Sequence, residues 1–255
     1  MSLITLSFTL GFVVIAFFLS MWFKLGLQKD ILIAAVRATI QLLIIGYILK
    51  VVFHLQDALF SLLLIALMIG VATQNASKRG KWLPHAWIRV LLAITVTEVV
   101  TQGLLLGLRV VAPTPQYVIP ISGMIVGNAM VASGLLLNRL HSETSSHRQE
   151  IITILALGGT SKQAVYDYVK QAVRASMIPT IDNTKTMGLV QLPGMMTGLI
   201  IAGADPIQAV RYQILIVFSI LASAVITSIV LGFISYPGLF NEFQQFVLSD
   251  SPIKK

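Results

Sequence analysis

Arg37 and Gln41 are four residues apart, and so are Glu98 and Gln102, each pair lying inside an otherwise apolar run. That spacing puts both members of a pair on one helix face. An ionisable group near the centre of a bilayer costs at least about 2.5 to 3.5 kcal/mol, which marks Arg37 and Glu98 as candidate functional residues. Thr95 and Thr101 extend the second pair into a polar stripe. At about 1.5 Å of rise per residue, Arg37 lies roughly 9 Å and Glu98 roughly 17 Å from the inner ends of their spans. An arginine side chain bridges much of that difference, so an Arg37–Glu98 pair is expected. Such a pair either locks two helices or belongs to a path for cations.

Two further runs carry amides, thioethers and small residues. Gly123 and Gly127 make one G-x-x-x-G, and Gly194 and Gly198 another. Small residues at that spacing allow close approach of helices, within one chain or between two copies. Asn128 and Gln191 sit beside them, and Pro193 interrupts the backbone ladder, as happens where a span is protein-buried or lines a cavity. Met124, Met130, Met187, Met195 and Met196 crowd the same runs. Thioethers suit soft metals, whereas hard or borderline cations take carboxylate and amide oxygens, so these methionines read first as adaptable packing.

Several chemistries lack their residues. HSETSSH (His141 to His147) matches no zinc spacing, and no metal site is assigned. No G-x-x-x-x-G-K-[ST] loop, H-E-x-x-H or nucleophile–base arrangement occurs, so no catalytic residue is assigned and ATP is not bound by the usual loop. With no cysteine, disulfides and thiolate sites are excluded.

The elements that hold these residues are membrane helices. Of the 255 residues, 56% are apolar and only 11% charged, and the mean hydropathy is +0.86. Runs long enough to cross about 30 Å of hydrocarbon fall at 3–23, 31–53, 58–76, 87–108, 118–137, 186–203 and 212–234. The first has no basic residue before it and reads as a retained anchor. With the N-terminus outside, thirteen Lys and Arg lie in inner loops, against Lys50, Arg109 and, at the edge of the last span, Arg211 outside. That bias predicts an N-out, C-in arrangement of about seven helices. The net charge of +8 is then topological and asks for no nucleic acid. The fold class expected is all-α and polytopic, one transmembrane domain over 1–255.

One connection is long. Residues 138–185 are hydrophilic and are expected to form an amphipathic hairpin on the inner side. Gly158 and Gly159 end one helix, and Thr160 with Gln163 forms a T-x-x-Q capping box that starts the next. That helix places Ala164, Val165, Tyr168, Val169, Ala172 and Val173 on one side and Lys162, Asp167, Lys170 and Arg174 elsewhere. Such a face buries against something: the bilayer surface, or a cleft on a partner suited to the small tip LGGTS.

RATIQLLIIGYILK (Arg37 to Lys50), VIPISGMIVGNAMVASGL (Val118 to Leu135), LALGGTSKQA (Leu155 to Ala164) and IPTIDNTKTMGLVQLPGMMTGLIIAGADPIQAVRYQI (Ile178 to Ile214) resemble the iron-export ABC transporter permeases of the FetB type. The resemblance implies a permease of the cytoplasmic (inner) membrane that pairs with itself and with separate ATPase subunits. ATP and Mg are then bound there and no cofactor here. It implies that Leu155, Leu157, Gly158, Gly159, Thr160, Ser161, Lys162 and Gln163 contact the ATPase. It also implies that Asp182, Asn183 and Lys185 mark the entry to the sixth span, with Asp182 capping it and receiving cations. Gln191, Pro193, Gly194, Met195 and Met196 form the signature core. Thr153 stands where coupling loops of this kind often carry Glu, which implies a less charge-dependent contact. Arg37, Gln41, Glu98, Asn128, Asp182, Gln191, Met195 and Met196 are the candidate translocation path. Other cargoes fit the same frame, namely another metal, a sugar nucleotide, or a methionine-like import substrate. Related plant proteins are linked to aluminium tolerance.

Overall fold

The computed structural model describes residues 9–55 and 57–247. The sequence groups 1–255 as one domain; spatial contacts group the chain into two compact units, Met1–Asp57 and Ala58–Lys255.

The first unit contains α1 (Leu10–Trp22) and α2 (Gln28–Leu55). Residues 3–8 of the first predicted span lie outside the described residues. Between the helices, Lys24 and Gly26 take positive φ, and the Gln28 amide donates to the Ser20 carbonyl at 3.2 Å. Asp30 in the first turn of α2 suits the positive end of the helix dipole.

The second unit contains α3 (Ala58–Ser77), a 3₁₀ turn (Lys78–Gly80), α4 (Ala86–Gly107), α5 (Pro115–Ser146), α6 (Arg148–Ala156), α7 (Ser161–Thr186), α8 (Gly194–Ile201), α9 (Pro206–Ser235) and a 3₁₀ turn (Tyr236–Leu239). Local chemistry explains the starts. Pro115 and Pro206 stand at first-turn positions where a missing N–H is harmless. The Asp205 carboxylate accepts from the Gln208 N–H at 3.1 Å, a side-chain cap.

α5 is the central helix, packed against α3, α4, α7 and α9. Val90, Ala93, Ile94, Ala129, Leu136, Leu137, Leu140, Val165, Ala172 and Leu231 are buried in the shared core. Large apolar residues such as Val99 and Phe218 face outward, as expected where the surrounding solvent is lipid.

By length and composition, five helices are able to cross a membrane: Gln28–His54, Ala58–Gly80, Ala86–Gly107, Pro115–Ser146 and Pro206–Leu239. The protein is a multi-pass membrane protein of helices, and these five match the predicted runs two, three, four, five and seven. The sixth run does not form a membrane-length helix. Residues 187–193 are irregular, with Met187 and Gln191 paired across a turn, and α8 has only eight residues, about 12 Å. Gly188 at positive φ and Pro193 account for the break.

α7 lies instead alongside α9. It runs antiparallel, from Val173 against Gly232, through Ser176 Oγ to Ser228 Oγ at 2.9 Å, to Met187 against Gln213. Its C-terminal half is therefore not part of a surface hairpin. It lies beside the stretches read as spans five and seven.

Candidate functional site

The tip between α6 and α7 is built from backbone requirements. The Gly159 N–H donates to the Ile154 carbonyl at 2.9 Å, and the Gly158 N–H to that of Leu155 at 3.0 Å. Gly158 has φ +89°, where a side chain is strained, while a β-carbon on Gly159 would come within 2.8 Å of the Ile154 carbonyl oxygen. The two glycines are thus needed for different reasons. α7 then starts on the expected capping box, with the Thr160 N–H donating to Gln163 Oε1 at 2.9 Å and the Gln163 N–H to Thr160 Oγ1 at 3.3 Å. Leu157 projects from this tip, 83% exposed. Ser161 is joined by its hydroxyl to the Gln244 side chain, which ties the tip to the C-terminal segment.

The apolar face of α7 is covered by the chain itself. Ala164, Val165, Val169 and Ala172 are almost wholly buried in the core shared with α5 and α9, so the bilayer-surface reading of this face does not hold. α6 closes the other side. His147 stacks on Tyr168 with ring centroids 4.7 Å apart, and Glu143 joins Arg139 at 2.6 Å and His147 at 3.7 Å. Burial, then the Glu150 carboxylate at its hydroxyl and the charges of Asp167 and Glu143, push the Tyr168 phenol up to about 12. His147, Glu150, Asp167, Lys170 and Arg174 line a polar cleft along the hairpin.

The interior of the second unit holds the other candidates. Asn128 on α5 donates to the Ile220 carbonyl at 3.1 Å and to Ser223 Oγ at 3.1 Å, while Thr180 of α7 donates to its Oδ1 at 3.5 Å. Asn128 thus joins three helices, and its partner Thr180 lies two residues before Asp182 on α7. Asp182 does not cap a span. It sits in the last turns of α7, 3.3 Å from Lys185, and the cap position of α8 belongs to Pro193, which has no side-chain cap bond.

Glu98 is buried in α4, 5% exposed, with the Ser122 hydroxyl of α5 beside it. Among the described residues of its unit neither carboxylate oxygen has a hydrogen-bond partner of ordinary geometry, and Gln102 Oε1 and Ser122 Oγ have none there either. Arg37 and Gln41 belong to the first unit, on one face of α2 with Leu32, Val36 and Ile40. Gln191 is exposed in the irregular stretch, and Met195 and Met196 are half-buried on α8.

Among the described residues, the predicted close-packing glycines make no tight contact. No described atom lies within 4 Å of a β-carbon built at Gly127, Gly194 or Gly198, and the one at Gly123 meets the Met68 methyl at 3.9 Å. Tight approaches fall instead at Gly80, Gly134, Gly232 and, against the Arg89 guanidinium, Gly238, besides Gly159 at the tip. Sequence reasoning also missed the polar side of α9. Ser219, Ser223 and Thr227 are buried, and Thr227 Oγ1 meets Thr97 Oγ1 at 2.7 Å. Their spacing of four along one helix face was a signal available in the sequence.

Comparison with known proteins gives one family. A model described as "Uncharacterised protein family (UPF0014)" matches residues 3–240. The chain is 53% identical to "UPF0014 membrane protein YjkA" of Bacillus subtilis over 96% of this chain and 98% of that protein. It is 43% identical to "Probable iron export permease protein FetB" of Escherichia coli, over 96% of this chain and 95% of that one. It is 34% identical to "Protein ALUMINUM SENSITIVE 3" of Arabidopsis thaliana, over 91% and 85% respectively. No solved structure matches the chain.

Proposed function

The chain belongs to the UPF0014 membrane protein family, and on that premise we propose that it is the permease subunit of an ATP-driven exporter whose ATPase is a separate polypeptide. The observation that carries this reading is the tip itself. Leu157 stands exposed on a turn braced by two glycines and a capping box, at the end of a helix that runs on beside α9. A partner pressing on such a tip moves α7 as a rigid lever, because its apolar face is already locked to α5 and α9. The hairpin end is assigned to the cytoplasmic side of the inner membrane, and ATP and Mg to the ATPase.

Iron is assigned as the cargo on the strength of the relative named as an iron export permease, 43% identical to this chain. The relative named for aluminium sensitivity favours a second reading, in which another hard cation is carried; both cations suit amide and carboxylate oxygens.

Reconstitution with an ABC ATPase subunit in liposomes tests the proposal. Iron is expected to raise ATP turnover and to leave the ATPase side, and Leu157→Asp to abolish the stimulation while the permease stays folded. Transport by the purified chain alone, or full stimulation with Leu157→Asp, would overturn it. Aluminium in place of iron separates the two cargo readings.

A further inference from the structure

Arg79 has a seat but no acid. It stands in the 3₁₀ turn that follows α3, exposed, and among the described residues its guanidinium makes no ion pair or hydrogen bond. Its position is set by Gly134 of α5, where a β-carbon would come within 3.0 Å of Arg79 Cδ and 3.4 Å of its Nε. The missing side chain leaves a groove in which the apolar stem of the arginine lies while its charged head stays free.

Beside that stem, between α3 and α5, is a cleft of about 170 Å³. Asn75 and Arg79 supply its polar side, and Met130, Val131 and Leu135 supply an apolar one. The Asn75 amide donates to the Met130 sulfur at 3.3 Å. A thioether is a weak acceptor, so this N–H is readily given to a stronger one. Val131 is 54% exposed and Leu135 37%, which makes the apolar side open to hydrocarbon.

The level of the cleft follows from the two spans that form it. Asn75 and Gly134 stand just before the ends of the apolar runs 58–76 and 118–137, within about 5 Å of them along each helix. On the N-out arrangement both are inner ends. The cleft therefore sits where lipid headgroups meet acyl chains, and Lys78 and Lys81 are exposed in the adjoining turn.

We propose that this cleft binds the headgroup phosphate of an anionic phospholipid of the inner leaflet. The Arg79 guanidinium takes the phosphate oxygens as a fork, the Asn75 amide donates to the same group, and the acyl chain runs against Val131 and Leu135. A free anion gains nothing from three apolar side chains, whereas a phospholipid carries phosphate and hydrocarbon together. Lys78 and Lys81 set the preference for a headgroup of net negative charge, since a zwitterionic one brings a cation of its own to this turn.

The full chain, purified in a non-ionic detergent, is given phosphatidylglycerol, phosphatidylcholine or inorganic phosphate. Native mass spectrometry counts the bound lipid, and thermal unfolding reads its effect. Phosphatidylglycerol is retained about fivefold over phosphatidylcholine and raises the unfolding midpoint, and inorganic phosphate does not. Arg79→Gln removes the fork, and Gly134→Ala pushes the arginine off its seat. Each brings the two lipids to parity in a chain that stays monodisperse. Lys170→Gln removes the same charge from the hairpin cleft instead and keeps the preference. If Arg79→Gln or Gly134→Ala retains the preference, or if Lys170→Gln loses as much, diffuse charge explains the binding and the proposal is overturned. Equal stabilisation by inorganic phosphate overturns it in favour of a free anion. The readout needs neither cargo nor ATPase, so it is independent of the exporter reading.

Discussion

Val173 of α7 packs so closely on Gly232 of α9 that a β-carbon at position 232 would come within 2.8 Å of its Cγ2, and within 3.3 Å of Val169 Cγ1. This contact joins the hairpin to the membrane bundle. Gly232→Ala is expected to destabilise the protein by about 1 kcal/mol net, since overpacking of about 1–3 kcal/mol outweighs the gain in helix propensity of roughly 1 kcal/mol. Val173→Ala in the same chain should recover most of the loss. Thermal unfolding of the two single variants and the double variant checks this through their non-additivity.

At the tip, Gly159→Ala should be worse tolerated than Gly158→Ala. Alanine at 158 meets open space and costs the left-handed backbone alone, about 1 kcal/mol. Alanine at 159 strikes the Ile154 carbonyl oxygen, and no side-chain rotation relieves a backbone clash. Thr160→Ala removes one cap bond and is expected to cost about 1 kcal/mol. Proteolytic sensitivity of residues 155–163 ranks the three variants.

Glu98 holds a buried carboxylate with no hydrogen bond of ordinary geometry among the described residues of its unit, the Ser122 hydroxyl lying beside it. Glu98→Gln keeps its shape and removes the charge, and is expected to leave stability unchanged or raise it by roughly 1–3 kcal/mol. Reduced export in the same variant would mean that the acid is kept for transport at the expense of stability. Thermal stability and transport, measured on one preparation, separate the two roles. A sharp loss of stability instead would reveal a structural partner, and exchange of Arg37 and Glu98 would identify it.

Tyr168 gives a pH dependence with a definite sign. Its folded value of about 12 lies above the ordinary value of 10.0, so the protonated phenol is favoured by folding. That contribution is fully present below pH 10 and is lost as pH rises through 12. The stability advantage of wild type over Tyr168→Phe should therefore shrink across this window and stay constant between pH 7 and 9. Denaturation of both proteins across the range provides the measurement.

Much of the architecture was legible because it is local. Transfer of apolar residues into lipid is a sum over neighbours in the chain, so runs two to five and seven appear directly as helices. The capping box and the glycine stop before it depend on backbone groups within a few residues, and both formed as read. Asn128 was identifiable as a polar group in a span, but not as the junction of α5, α7 and α9.

The sequence by itself determined the membrane class, the family resemblance and the ends of the hairpin helices. Only the tertiary structure decided that α7, too polar to register as a span, lies beside α9, and that run 186–203 breaks after Thr186. The reason is that hydropathy scores a residue as though it faced lipid alone. Ser176, Thr180 and Ser228 are held by hydrogen bonds between helices far apart in the chain, and no local sum contains those partners.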